Sequence, residues 1–271
     1  MIKKIAKFFM AMVLLVLLAG WSPIQNPSNQ ETDNLTTHFT QPFAFSHGQI
    51  AATVPDYKTT LPPNYTMRDY LVYLVNDVDA FWSPIMMQGG FSDPFVYYSF
   101  PALGEPIVTK CKLTDPKNPA QAFYCQLDDQ LVISQEMAKQ LWEGTVKTNK
   151  EPRPKYNAGD FSVAVIVAHE FAHNLQTEIG WITNTGYKTT SRSIELNADC
   201  LTGVWANSSY YKGLLDTTDI QEAMRTLSDI GQDMTAPDPT HGTPKERTDA
   251  FMLGYNTGQA ARCDYYLNTK Y

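Results

Sequence analysis

The stretch 167–176 reads VAHEFAHNLQ, with His169 and His173 four positions apart and Glu170 directly after the first. Residues at i and i+4 share one face of an α-helix, so both imidazoles can reach a single ion. Glu170 is turned about 100° from His169 by helical geometry, which sets its carboxylate beside that ion, where it can hold water. The five-residue pattern alone leaves a second reading open, two core histidines each satisfied by hydrogen bonds. The helix around it reads more plainly. Residues 162–179 include VAVIVA (163–168), apolar on all sides, and Gly180 as a stop, so this helix is expected inside the core.

A catalytic zinc takes three protein ligands and keeps one position open. SIELNADC (193–200) offers the third, on a second expected helix over 193–206. Glu195 and Asp199 are four apart and share a face. Glu195 can ligate, while Asp199 can accept the free N–H of one ligating histidine and so fix its tautomer. A solvated acidic edge is the alternative. It fits poorly, because Ala198, Cys200, Leu201, Gly203, Val204 and Trp205 mark the helix as largely buried, and buried acids require a cation.

The remaining elements are read outward from these two helices. Thr66 can cap a helix with apolar positions Tyr70, Leu71, Leu74, Val75, Val78 and Phe81, expected to end before Pro84. PIVTKC (106–111), AFYCQL (122–127) and LVIS (131–134) read as short strands, with Ser134 capping a helix that stops at Gly144. A helix from Thr218 to Ile230 carries one apolar stripe. The last helix opens with Thr243-Pro244-Lys245-Glu246, a capping box with proline at the first helical position. The fold class expected is α+β, a mostly helical domain with a small antiparallel sheet.

Composition narrows the function classes. The chain has 271 residues, of which 43% are hydrophobic and 18% charged, enough for one sizeable core. A net charge of -7, with no basic cluster after Lys7, excludes nucleic acid as the expected partner. Lys3, Lys4 and Lys7 precede the apolar run FFMAMVLLVLLAG (8–20), the pattern of a secretory signal peptide. An uncleaved anchor is the alternative, although a span typically needs about 20 apolar residues. The organisation expected is a signal segment over 1–21, a polar proline-rich extension over 22–63, and a folded domain over 64–271. The protein is expected outside the cell, or on the outer face of the cytoplasmic membrane if the segment is retained; contact with the membrane is expected only in that case.

Export bears on the four cysteines, Cys111, Cys125, Cys200 and Cys263. An even count suggests two disulfides with three connectivities. Neighbouring strands would place Cys111 beside Cys125. The expected pairing is Cys111–Cys125 and Cys200–Cys263, the second tying the Glu195 helix to the C-terminal tail. Paired C-x-x-C hooks for a structural zinc are absent.

HEFAHNLQ, ELNADC with LTGVWA, HGTPKER with FMLGYNTG, and AFYCQLDD with the preceding Cys111 together resemble the signature blocks of the bacterial putative neutral zinc metallopeptidases. The resemblance covers roughly residues 64–266, four blocks in order, and is far more specific than the two histidines alone. It implies a zincin-like domain, similar to the gluzincins, with one zinc per chain. By that resemblance His169, His173 and Glu195 are the ligands, Glu170 the catalytic carboxylate and Asp199 the partner of a ligating histidine. The chain departs from the family where Asn174 stands in place of a frequent histidine, and where Asn197 and Glu246 stand in place of frequent glutamines.

By the same resemblance the expected reaction is hydrolysis of peptide bonds in a peptide or protein substrate, with Glu170 as general base and then acid. His241, in PDPTHGTP, is the remaining histidine of the folded region and the expected donor to the oxyanion. Arg247 is a lesser candidate, or a brace for that loop, and His38 and His47 fall in the extension. The strand region 122–134 is expected to hold an extended substrate by strand addition. Two other functions share the metal: a non-catalytic zinc-stabilised binding domain, which would have no need of Glu170, and a zinc amidase acting on cell-wall material.

Overall fold

A computed structural model describes residues 64–111, 120–146, 158–182, 190–213, 215–232 and 241–268. The expected signal segment and extension, 1–63, lie outside the described residues. Helix α1 (Met67–Gln88) starts where the sequence indicates, with Thr66 and Asp69 forming a capping box. It does not end before Pro84, which lies inside the helix on its exposed side. An interior proline costs about 3 kcal/mol or more. Ile85 and Met86, only 1% and 0% exposed beyond it, offset that cost at roughly 1.5–3 kcal/mol each.

Three strands follow: β1 (Tyr97–Ser99), β2 (Ala122–Cys125) and β3 (Gln130–Ile133). The sheet order is β1-β3-β2. Strands β2 and β3 are antiparallel, but β1 runs parallel to β3, so the sheet is mixed rather than antiparallel. Residues 106–111 form no strand. Their polar groups turn instead to one side chain, with Lys110 N–H donating to Asp128 Oδ2 at 2.7 Å and Thr109 Oγ1 to Asp128 Oδ1 at 3.1 Å. Cys111 is still bonded to Cys125, Cα atoms 5.7 Å apart.

Helix α2 (Gln135–Glu143) is capped by Ser134 and ends at Gly144, whose φ of 63° is the left-handed stop that glycine permits. Helix α3 (Asp160–Glu178) is the central one, with every residue from Phe161 to His169 buried. Against it pack α4 (Ser191–Tyr211) and α5 (Thr217–Ile230), and α6 (Pro244–Thr257) packs in turn on α4 and α5. The indole of Trp205 on α4 stacks on Phe161 of α3 at 5.8 Å. A 3₁₀ turn (Ala260–Cys263) and α7 (Asp264–Asn268) close the described chain.

Two glycines set the α4–α6 distance. A Cβ on Gly203 would run into Phe251 O, and one on Gly254 into Cys200 O, so backbone lies directly on backbone. The Cys200–Cys263 disulfide, Cα atoms 5.5 Å apart, locks α4 to the 3₁₀ turn on the same side. That close packing brings Arg247 of α6 beneath the Glu195–Asp199 face of α4. Among the described residues, no helix is long and apolar enough to cross a membrane.

Candidate metal centre

The buried first half of α3 anchors the histidines at its second half. His169 is 4% exposed, His173 is partly buried, and their rings stand edge to face at 4.8 Å. Helix α4 presents Glu195 to both. Its Oε2 lies 3.2 Å from His169 Nε2, and its Oε1 lies 3.7 Å from His173 Nε2. Ligand-capable atoms of the three residues fall within 4.8 Å of one another.

Two other groups of such residues occur among the described residues. Cys111, Cys125 and Asp128 form one, but both thiols are consumed in a disulfide. Asp160, Asp219 and Glu222 offer carboxylate oxygens alone. The His169–His173–Glu195 group therefore has the donor chemistry that suits zinc, two imidazole nitrogens and one carboxylate.

Behind His169 stands a buried ionic cluster. Asp199 Oδ1 is 2.9 Å from His169 Nδ1, and Arg247 donates to both oxygens of the same carboxylate. Burial disfavours a charged His169, but the Asp199 carboxylate and the hydrogen bonds to Asp199 and Glu195 outweigh it, holding the imidazole up to about 10. Glu195 responds in the opposite sense. Burial would raise it, yet His169, His173 and Arg247 draw it well below the usual carboxylate range.

Behind His173 the partner is different. Its Nδ1 is 2.8 Å from Gln176 Oε1, a residue that the motif reading passed over although it follows His173 by three positions on the same helix face. Glu170 follows His169 directly, is partly buried, and its charge acts on the Arg247 guanidinium. Arg247 itself is 2% exposed and turned to Asp199, so its side chain braces the centre.

His241 lies at the rim. Its side chain is 51% exposed and its Nε2 is 3.9 Å from Glu195 Oε1. Gln232 holds the backbone here at two points, accepting from His241 N–H at 3.2 Å and donating its own N–H to Gly242 O at 2.9 Å. Gly242, at φ 76°, lies so near Leu196 of α4 that a side chain there would collide with it. The capping box of α6 holds the far side, and its Glu246 also pairs with Arg192 of α4.

Asn174, where the family often has histidine, faces away from Glu195 toward the sheet. Its amide donates to Phe95 O at 3.1 Å and Asp129 Oδ1 at 3.0 Å, tying α3 to the segments that flank β1 and β3. The expected docking region 122–134 is also revised in part. Strand β3 is the middle strand, so among the described residues the outer edges belong to β2 and β1.

An uncharacterized protein of Escherichia coli (strain K12), YpfJ, is 32% identical over 127 residues, which cover 40% of this chain and 44% of that protein. The match thus spans less than half of that relative's length. An uncharacterized protein of Mycobacterium bovis, Mb2605, is 27% identical over 240 residues, covering 77% of this chain and 74% of its own. No solved structure matches at a significant level. The family model described as "Putative neutral zinc metallopeptidase" matches residues 105–266, the span that contains all three residues of the candidate centre and both disulfides. This chain belongs to that family of zinc metallopeptidases.

Proposed function

We propose that the protein is an exported zinc-dependent peptidase that hydrolyses peptide bonds at the His169–His173–Glu195 centre. The observation that carries this reading is the placement of Glu195 between the Nε2 atoms of two histidines that flank Glu170 in sequence. His169, His173 and Glu195 would hold the ion, and Asp199 would keep the His169 proton on Nδ1. Bound zinc supplies a Lewis acid that lowers the pKa of water and polarises a scissile carbonyl.

The chain's own groups do the rest. Glu170 takes the proton from the attacking water and passes it to the leaving amine. His241, held at the rim by Gln232, donates from its imidazole to the oxygen on which negative charge develops. An extended substrate chain would align along an outer strand edge, its backbone completing the sheet. Export is supported by the basic and apolar start of the chain and by two disulfides, which persist in oxidising compartments.

The test is cleavage of a proteome-derived peptide library by the purified protein. Cuts that disappear with chelator and return with zinc support a peptidase. Tight zinc binding without any cut supports a zinc-stabilised binding domain, and release of cell-wall fragments instead of peptides supports an amidase.

A further inference from the structure

Two amides, Gln176 and Asn197, are completely buried between α3 and α4. Placing amides there costs free energy unless every hydrogen-bonding group is met. Gln176 Nε2 donates to Ile194 O and to Asn197 Oδ1, each at 2.8 Å. Asn197 Nδ2 donates in turn to Cys263 O at 2.9 Å. Turning the Gln176 amide over would set its oxygen against the Ile194 and Asn197 oxygens, so only one orientation is satisfied.

That orientation has a consequence at the metal centre. The atom facing His173 Nδ1 at 2.8 Å is the Gln176 oxygen, which can only accept. His173 must then carry its hydrogen on Nδ1, leaving the Nε2 lone pair turned to Glu195 Oε1, 3.7 Å away.

We propose that Gln176 is a positioning residue that selects the His173 tautomer and aims its Nε2 at the metal, and that Asn197 acts through Gln176. The relay ends on the main chain of Cys263, which the disulfide holds to Cys200 on α4. The two imidazoles are thus oriented by different means, His169 by a carboxylate gripped by arginine and His173 by a neutral amide chain. This inference rests on His173 being a ligand, as proposed above.

The test uses the full chain, stripped of metal, with Gln176→Leu, Asn197→Leu and the double variant. Zinc dissociation constants come from competition with a chelator, cobalt absorption spectra report ligand geometry, and the metal-free melting temperature reports packing. Gln176→Leu is expected to weaken zinc about 10–100-fold, as partners of ligating histidines do, and to alter the cobalt spectrum. Asn197→Leu is expected to weaken it less, and the double variant to match Gln176→Leu alone, since residues in one network are not additive. A lower melting temperature with unchanged zinc affinity and cobalt spectrum overturns the proposal, leaving the amides a packing role.

A second measurement needs no variant. In zinc-loaded protein with nitrogen-15 histidine, NMR is expected to show His173 protonated at Nδ1 and metal-bound at Nε2. The reverse assignment overturns the proposal even if Gln176→Leu fails to fold. Wild-type protein that takes up no zinc overturns both this inference and the functional reading. Zinc uptake indifferent to Gln176 overturns this inference alone.

Discussion

Arg247 holds Asp199 through two hydrogen bonds, Nε to Oδ2 and Nη2 to Oδ1, each 2.8 Å. The two side chains are 2% and 0% exposed. The same Asp199 Oδ1 is 2.9 Å from His169 Nδ1, so the carboxylate behind the histidine is itself fixed by a planar fork. Removing the fork leaves the fully buried carboxylate with His169 alone. Arg247→Leu should therefore destabilise the fold by about 3–5 kcal/mol in urea unfolding. Arg247→Lys should recover only part of this, because an ammonium cannot bond both oxygens in the plane. A loss below about 1 kcal/mol for Arg247→Leu would contradict the arrangement.

Glu195 and Asp199 should separate cleanly in zinc binding. Glu195→Ala removes a group that faces both Nε2 atoms, and two histidines alone hold zinc poorly, so the ion and the stability linked to it should be lost. Asp199→Asn should retain zinc with affinity lowered about 10–100-fold. Chelator competition distinguishes them. Wild-type affinity in Glu195→Ala would mean that the third ligand lies elsewhere.

His241 should affect the chemical step and not the metal. Gln232 and Gly242 hold the backbone at His241 before any substrate arrives. His241→Ala is expected to lower kcat by roughly 10²–10³ with a smaller change in KM and unaltered zinc content. Loss of zinc would make His241 a ligand, and an unchanged kcat would leave it without a part in the reaction.

Away from the centre, Glu222 of α5 should make stability depend on pH. Burial and the neighbouring Asp160 and Asp219 charges push its carboxyl up to about 7, against the N–H groups of Phe161 and Ser162 at the start of α3. A raised folded-state pKa means that the folded protein holds this proton more tightly than the unfolded one. The stability is then present below the ordinary value of 4.5 and is lost as pH rises through about 7. Glu222→Gln stays neutral, so its melting temperature should exceed wild type above pH 7 and approach it near pH 4.5. A difference that ran the other way with pH would refute the assignment.

What the sequence disclosed was mostly local. The four-residue spacings of His169 with His173 and of Glu195 with Asp199, and the Thr243–Glu246 capping box, are set within one or two helical turns. The structure brings Glu195 to both histidines because α3 and α4 pack against each other. What it concealed was decided by distant contacts. Tyr97–Ser99 forms a three-residue strand whose tyrosines are both exposed, so no alternation marks it. The 106–111 segment has strand composition, but Asp128 and Cys125 claim its groups. Pro84 reads as a helix end until the burial of Ile85 and Met86 is known. Gln176 and Arg247 carry no metal-ligand chemistry of their own, and only the packed helices show what they touch.

Glu170, beside His169 and His173, would perform the proton transfer at the zinc site. The most direct measurement is zinc content and peptide hydrolysis on the same preparation of Glu170→Gln. The amide cannot act as a base, yet the residue is not one of the three ion-holding groups. About one zinc per chain with hydrolysis abolished is the predicted result. Undiminished turnover in zinc-loaded Glu170→Gln protein would contradict it.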